Sequence, residues 1–128
     1  MVSKYKDVFS LGHYPMNAQN QRLLDALNTC LASCEQCATV CLSEQIVQVM
    51  VPCISLNQDC ADICALTARV LSRDSNYARH LLATCADVCK ACEDECEKHA
   101  SSVPNCGECA EACRRCEKAC RVGMSMAA

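Results

Sequence analysis

The segment Cys85-Ala-Asp-Val-Cys89-Lys-Ala-Cys92-Glu-Asp-Glu-Cys96 spaces four cysteines four, three and four residues apart. On an α-helix, at about 100° per residue, those steps drift by only a few tens of degrees, so the four thiols share one face. Asp87, Lys90, Glu93, Asp94 and Glu95 fall mostly on the outer side. The segment reads as an amphipathic helix whose buried stripe is sulfur.

The same spacing recurs. Cys30, Cys34, Cys37 and Cys41 repeat it, and Cys106, Cys109, Cys113, Cys116 and Cys120 run three, four, three, four. Cys53, Cys60 and Cys64 keep the register with one slot skipped, and Asn57 stands in that slot. These stripes account for all sixteen cysteines and leave none for a loop.

At 128 residues the chain is long enough to bury a core without obligatory disulfides. With a net charge of −3 and a pI near 5.5, it carries no electrostatic footprint for nucleic acid. One Phe, three Tyr and no Trp argue against base-stacking surfaces and a conventional aromatic core. The N-terminal stretch lacks the apolar region and cleavage site of a signal peptide, and no transmembrane span is read. The expected compartment is therefore cytoplasmic, where thiols stay reduced, and the sixteen cysteines point to metal or redox chemistry rather than disulfides.

Taken in order, residues 1–16 are a leader containing Tyr5, Phe9 and Tyr14, with a stop at Pro15. A first helix is expected from an Asn17 N-cap to about Ser43, with Leu23, Leu24 and Leu27 preceding its cysteines. A turn falls between about Ser43 and Gln48, with Pro52 in or near the first turn of the second helix. That helix carries Cys53, Asn57, Cys60 and Cys64, then Ala68 and Leu71 on the same line. After a loop at Arg73–Asn76, the third helix runs from about Ser75 to Lys98, with Leu81 and Leu82 before its cysteines. The fourth follows Pro104 and ends at Gly123.

Short connections make neighbouring helices antiparallel, so the expected fold is all-α: an up-down four-helix bundle over 17–122 with a cysteine-lined core and a tail at 123–128. The first and third helices place leucine before cysteine, and the second places cysteine before aliphatics. Reversing alternate helices gathers the leucines at one end, as an apolar plug, and leaves a thiol-lined tube beyond it.

Charge selects among the metals such a tube can hold. No Lys or Arg lies in the stripes, so the empty protein must keep neutral thiols and release protons on binding. Zn²⁺ in four thiolates leaves about −2 per site, and four such sites would bury roughly −8. A monovalent ion at one per thiolate leaves the tube neutral, and soft thiolate selects Cu(I). Loading on the order of sixteen Cu(I) per chain follows, with bridging sulfurs, against about four or fewer zinc ions. CxxC pairs at Cys34/Cys37, Cys89/Cys92, Cys106/Cys109 and Cys113/Cys116 keep iron–sulfur or dithiol redox function as an alternative. The ferredoxin cysteine run and a thioredoxin βαβ setting are both absent.

The stripes, with Cys60-Ala-Asp-Ile-Cys64-Ala-Leu and Cys85 to His99, resemble the cytosolic branch of the four-helix-bundle copper storage proteins. The resemblance spans roughly Leu23 to the C-terminus. It implies a homotetramer of bundles, each filled with Cu(I) on CxxxC and CxxC thiolates, with histidine or methionine near an opening. The connection His99-Ala-Ser-Ser-Val-Pro is poorer in histidine than in some relatives, and the aromatic leader is also a departure.

His99, one turn after Cys96, and Met50, beside the start of the second helix, are the candidate ligands at the open end; His13 and His80 read as structural. Met124 and Met126 fall in a fraying tail. Asn57 must point into the tube, where its amide either gives a carbonyl oxygen to a metal at the rim or hydrogen-bonds a thiol. No catalytic constellation is present, so the expected function is copper storage without turnover, its partners copper ions and a copper chaperone, with no nucleic acid or membrane. A zinc-binding module is the third alternative.

Overall fold

The computed structural model describes residues 16–127, with side chains as far as Ser125. Four α-helices follow in order: α1 (Ala18–Leu42), α2 (Val47–Ser72), α3 (Ala78–Glu97) and α4 (Pro104–Ala127), with no strand among the described residues. Each helix packs on its two neighbours around a ring, α1 on α2 and α4, and α3 on α2 and α4, while the diagonal pairs stay apart. The axis is thus left to side chains. Contacts between sulfurs fix the direction: Cys30, Cys34 and Cys37 of α1 meet Cys113, Cys109 and Cys106 of α4, one series rising as the other falls. Cys53, Cys60 and Cys64 of α2 meet Cys96, Cys89 and Cys85 of α3 in the same antiparallel sense.

Local sequence sets most helix ends. Asn17 caps α1, its Oδ1 accepting the Asn20 backbone N–H at 2.8 Å. At the end of α2, Ser75 N–H donates to Val70 O (2.9 Å) and Asp74 N–H to Leu71 O (3.1 Å), around Asp74 at φ 54°. This is the paired closure that usually recruits glycine at the left-handed position. The helix α3 begins at Ala78, three residues later than the expected Ser75, because Ser75 is used in this closure and its Oγ accepts Tyr77 N–H. With α2 starting at Val47, Pro52 lies in its second turn, where its ring removes one bond to the carbonyl four residues back.

Three further expectations change. Gly123 does not end α4, which continues to Ala127. Its role is close packing: a Cβ there would lie 2.9 Å from Leu23 Cδ2 and 3.4 Å from Leu82 Cδ1. In place of a fraying tail, Met124 packs against the core. Glu93, assigned to the outer side, is buried, with Lys90 Nζ at 3.7 Å from its carboxylate; burial pushes its carboxyl upward.

The plug is present. Leu23, Leu27, Leu71 and Leu82 are buried at one end, beside Thr67, whose hydroxyl donates to Ile63 O at 2.7 Å. By length and composition α2 is apolar enough to cross a membrane. In this fold that apolarity includes the buried line of Cys53, Cys60 and Cys64. The expectations for residues 1–15, including His13 and the aromatic leader, lie outside the described residues.

Candidate metal centre

Each helix contributes one line of cysteines, and the lines converge on the bundle axis. All sixteen cysteines are free and have zero exposure. The Sγ atoms form a network at 3.5–4.0 Å that falls into three groups. The inner group, nearest the leucine plug, links Cys30, Cys34, Cys60, Cys64, Cys85, Cys89, Cys109, Cys113 and Cys116. Toward the other end stand two trios: Cys37, Cys41 and Cys106, and Cys53, Cys92 and Cys96. Cys120 lies beside Cys85 and Cys116, completing the inner zone.

Asn57 joins the zones. It is fully buried, as its place in the register requires. Its Oδ1 accepts thiol protons from Cys92 (3.2 Å), Cys109 (3.4 Å) and Cys96 (3.5 Å), and its Nδ2 donates to Cys53 Sγ at 3.7 Å. Of the two roles expected for it, the hydrogen bond to neighbouring thiols is the one present. It lies within the tube rather than at the rim.

Several sets of four cysteines hold all their sulfurs within 4.8 Å of one another. The sets Cys30/Cys60/Cys64/Cys89, Cys30/Cys34/Cys60/Cys113, Cys34/Cys92/Cys109/Cys113 and Cys64/Cys85/Cys89/Cys116 interlock through shared members. The set Cys37/Cys41/Cys53/Cys106 shares none with them. Interlocking sulfurs suit bridged clusters of small soft ions, whereas isolated tetrahedral cages would each need four sulfurs of their own.

Electrostatics agrees with a neutral empty tube. The buried polar or charged residues among those described are Asn57, Thr67 and Glu93, so no buried cation offsets a thiolate. Burial leads the causes that push the Cys41 and Cys106 thiols up. Cys53 is pulled down by neighbouring thiols, first Cys37 and then Cys96, as are Cys30, Cys60 and Cys109, first by Cys113, and Cys85, first by Cys116. Each can hold charge only while those neighbours keep their protons.

At the end away from the leucines, Met50 is 2 % exposed and Val103 5 % exposed. His99, half-buried in the turn after α3, bonds Glu95 Oε2 through Nε2 at 2.9 Å, and this bond leads the causes holding the Glu95 carboxyl low. His99 also stands near enough to Cys53 to favour its thiolate. Met50, His99 and Val103 each sit three residues from a cysteine along the register. His80 is exposed and tilted against Tyr77, away from the sulfurs. Val103 is the residue that sequence reasoning passed over at this end; its place three residues before Cys106 was the available signal.

A four-helix bundle whose axis is a continuous array of buried neutral thiols is a multi-site binder of soft metal ions. The family model for copper storage proteins (Csp) matches residues 16–125, and the chain belongs to that family. It is 41 % identical to Ccsp of Streptomyces lividans loaded with 10 copper equivalents, covering 90 % of this chain and 95 % of that one with a TM-score of 0.83. It is also similar to Cu(I)-bound BsCsp3, at 38 % identity over 81 % of this chain and 96 % of that one, TM-score 0.77. The cysteine-rich protein YhjQ of Bacillus subtilis (strain 168), itself uncharacterized, is 39 % identical over 66 % of this chain and 78 % of its own length.

Proposed function

We propose that this copper storage protein holds copper as Cu(I), at about one ion per thiolate and on the order of sixteen per chain. The ligands are Cys30, Cys34, Cys37, Cys41, Cys53, Cys60, Cys64, Cys85, Cys89, Cys92, Cys96, Cys106, Cys109, Cys113, Cys116 and Cys120. Asn57 and His99 serve as auxiliary donors, with Met50 beside His99 at the open end. The observation that carries this reading is the interlocking of the four-sulfur sets without a buried cation. Shared sulfurs allow many ions, and only a monovalent ion at a near one-to-one ratio leaves the interior uncharged. The Cu(I) described for BsCsp3 and the ten copper equivalents in the Streptomyces protein support the same oxidation state and a high loading.

The protein stores and buffers without turnover. It works in the cytoplasm, as the relative described as cytosolic does, and apart from membranes and nucleic acid. It assembles as a homotetramer and exchanges copper with a chaperone that shields the ion in transit. The bundle stands without metal, because neutral thiols and the leucine plug together form a core.

Zinc is the rival that the geometry favours next, since each four-sulfur set also fits a tetrahedral ion. Anaerobic titration of the reduced protein with Cu(I) against a competing chelator separates the two. Saturation near one Cu(I) per thiol is expected, with zinc stopping at about four. Saturation by copper near four, or an iron–sulfur absorption band in protein isolated from cells, would replace this reading.

A further inference from the structure

A store whose sulfurs all have zero exposure cannot load while rigid, so part of its wall must move. The leucine end is a poor candidate. Leu23 and Leu27 are at most 1 % exposed, and α4 approaches so closely that even a methyl group at Gly123 would strike Leu23. The opposite end is covered by Met50, Val103 and the His99–Glu95 pair. Met50 is carried on the continuous helix α2. His99 and Val103 belong instead to the turn between α3 and α4.

The backbone bonds of that turn close on itself and on the last turn of α3, with one bond onward to α4, where Cys106 N–H donates to Val103 O at 2.9 Å. Lys98, His99 and Ala100 donate to Glu95, Cys96 and Glu97, and Ser102 and Val103 both donate to His99 O, at 3.1 and 2.8 Å. The turn can therefore tilt as a unit at the expense of the one bond from Cys106, since none of these bonds runs directly from α3 to α4. Its single well-buried side chain is Val103, an apolar group set directly before the line of Cys106, Cys109 and Cys113. A polar residue at this position would draw water toward the thiols; valine excludes it and has no donor of its own to trap a passing ion.

We propose that Val103 is a hydrophobic gate, carried on the 98–103 turn, that seals the thiol tube at rest and swings aside to admit the soft metal ion. His99 moves with it, so the same displacement that uncovers Cys41, Cys53 and Cys106 presents a nitrogen donor at the opening. The gate rests on the storage reading only for the identity of its cargo. Its motion is a property of the empty protein.

The test is timed labelling of the full-length, reduced, metal-free protein with N-ethylmaleimide, a neutral thiol reagent, followed by peptide mass spectrometry. Cys41, Cys53 and Cys106 should label before Cys64, Cys85 and Cys120. Val103→Ala should speed labelling of the first set by about tenfold, the shift expected from removing two buried methyl groups, and leave the second set unchanged. Val103→Leu should slow the first set, which keeps the test decisive even if the alanine variant does not fold. Labelling that begins at the leucine end, rates insensitive to both substitutions, or all sixteen thiols accelerating in parallel would each overturn the gate. Cu(I) uptake from a chelator complex should then quicken in Val103→Ala with the final amount unchanged. A protein that labels as expected yet takes up no copper would retain the gate and lose the storage reading, so the two fail separately.

Discussion

Along one register the bundle is filled in two ways. On α1, Leu23 and Leu27 give way to Cys30, Cys34, Cys37 and Cys41 without a break in spacing, and on α3 Leu82 gives way to Cys85 in the same manner. Both fillings are fully buried, and helix geometry does not distinguish them. What differs is what the atoms can do. Leucine contributes apolar area and shape, so the plug holds the helices together whatever the metal content. A thiol contributes less area but can trade its proton for a metal ion, so each cysteine adds less to folding than each leucine, and the sulfur zone supplies the binding. The division lets the protein fill and empty one zone while the other keeps the helices together.

The sharpest way to break that comparison is to truncate one residue on each side of the boundary in α1. Leu27→Ala removes a side chain with zero exposure and should cost about 2–5 kcal/mol of metal-free stability, with copper capacity unchanged. Cys30→Ala, one turn on, removes a single sulfur and should cost only about 1 kcal/mol while lowering capacity by about one ion. Chemical denaturation of the metal-free variants and Cu(I) titration of the folded ones supply both columns. Equal destabilisation by the two substitutions, or copper loss in Leu27→Ala, would mean that plug and store are not separate.

A smaller effect separates the zones by pH. Burial raises the thiols of Cys41 and Cys106 above the ordinary value of 9.0. Their contribution to stability is therefore complete below the unfolded-state value and is lost as pH rises past it toward the folded one. Cys53, and with it Cys30, Cys60, Cys85 and Cys109, is shifted the other way and offers no rescue, since the thiol protons that favour its charge disappear as the neighbouring thiols ionise. The leucines have nothing to titrate. Metal-free protein should thus keep its melting temperature from mildly acidic pH to about 8 and lose it above about 9. Copper-loaded protein should behave oppositely, failing in acid as protons displace the metal. Melting followed by circular dichroism across this range checks both halves, and a metal-free protein that resists alkali would show that its thiols are hydrated rather than sealed.

Both fillings could be read in the sequence because burial on a long helix follows spacing. Asn57 was predictable as inward-facing for the same reason, since it occupies a register slot whatever its polarity. The features that escaped depend on distances between helices, which spacing along one helix does not encode. Glycine near a helix end is ordinarily a stop signal, yet Gly123 serves the close approach of α4 to Leu23 and Leu82. Glu93 stands among outward-facing charges in α3 but is buried, with Lys90 beside it. Val103 looks like an ordinary connector residue until the structure carries it over the end of the tube. The start of α3 moved because Ser75 belongs to the closure of α2, a competition between two helix ends that neither reveals alone.

Asn57 gives the smallest expected effect on stability and the finest test of the boundary within the sulfur zone. Its amide stands between the inner sulfurs and the trio of Cys53, Cys92 and Cys96, touching Cys109 on one side and all three on the other, while Cys92 also reaches the inner zone directly in the set Cys34/Cys92/Cys109/Cys113. Asn57→Cys restores the uninterrupted register and replaces the amide with a seventeenth thiol. Its partners are thiols, which are weak donors, so losing the amide leaves no strongly polar group unsatisfied. The metal-free stability should stay within about 1 kcal/mol of the parent. Copper capacity should rise by about one ion, the increment expected where the number of thiolates sets the loading. A capacity that stays constant would mean that the Asn57 oxygen already occupies a ligand position, so that thiol replaces oxygen without adding a site. A capacity that falls would mean that the amide itself holds the neighbouring thiols in place to bind.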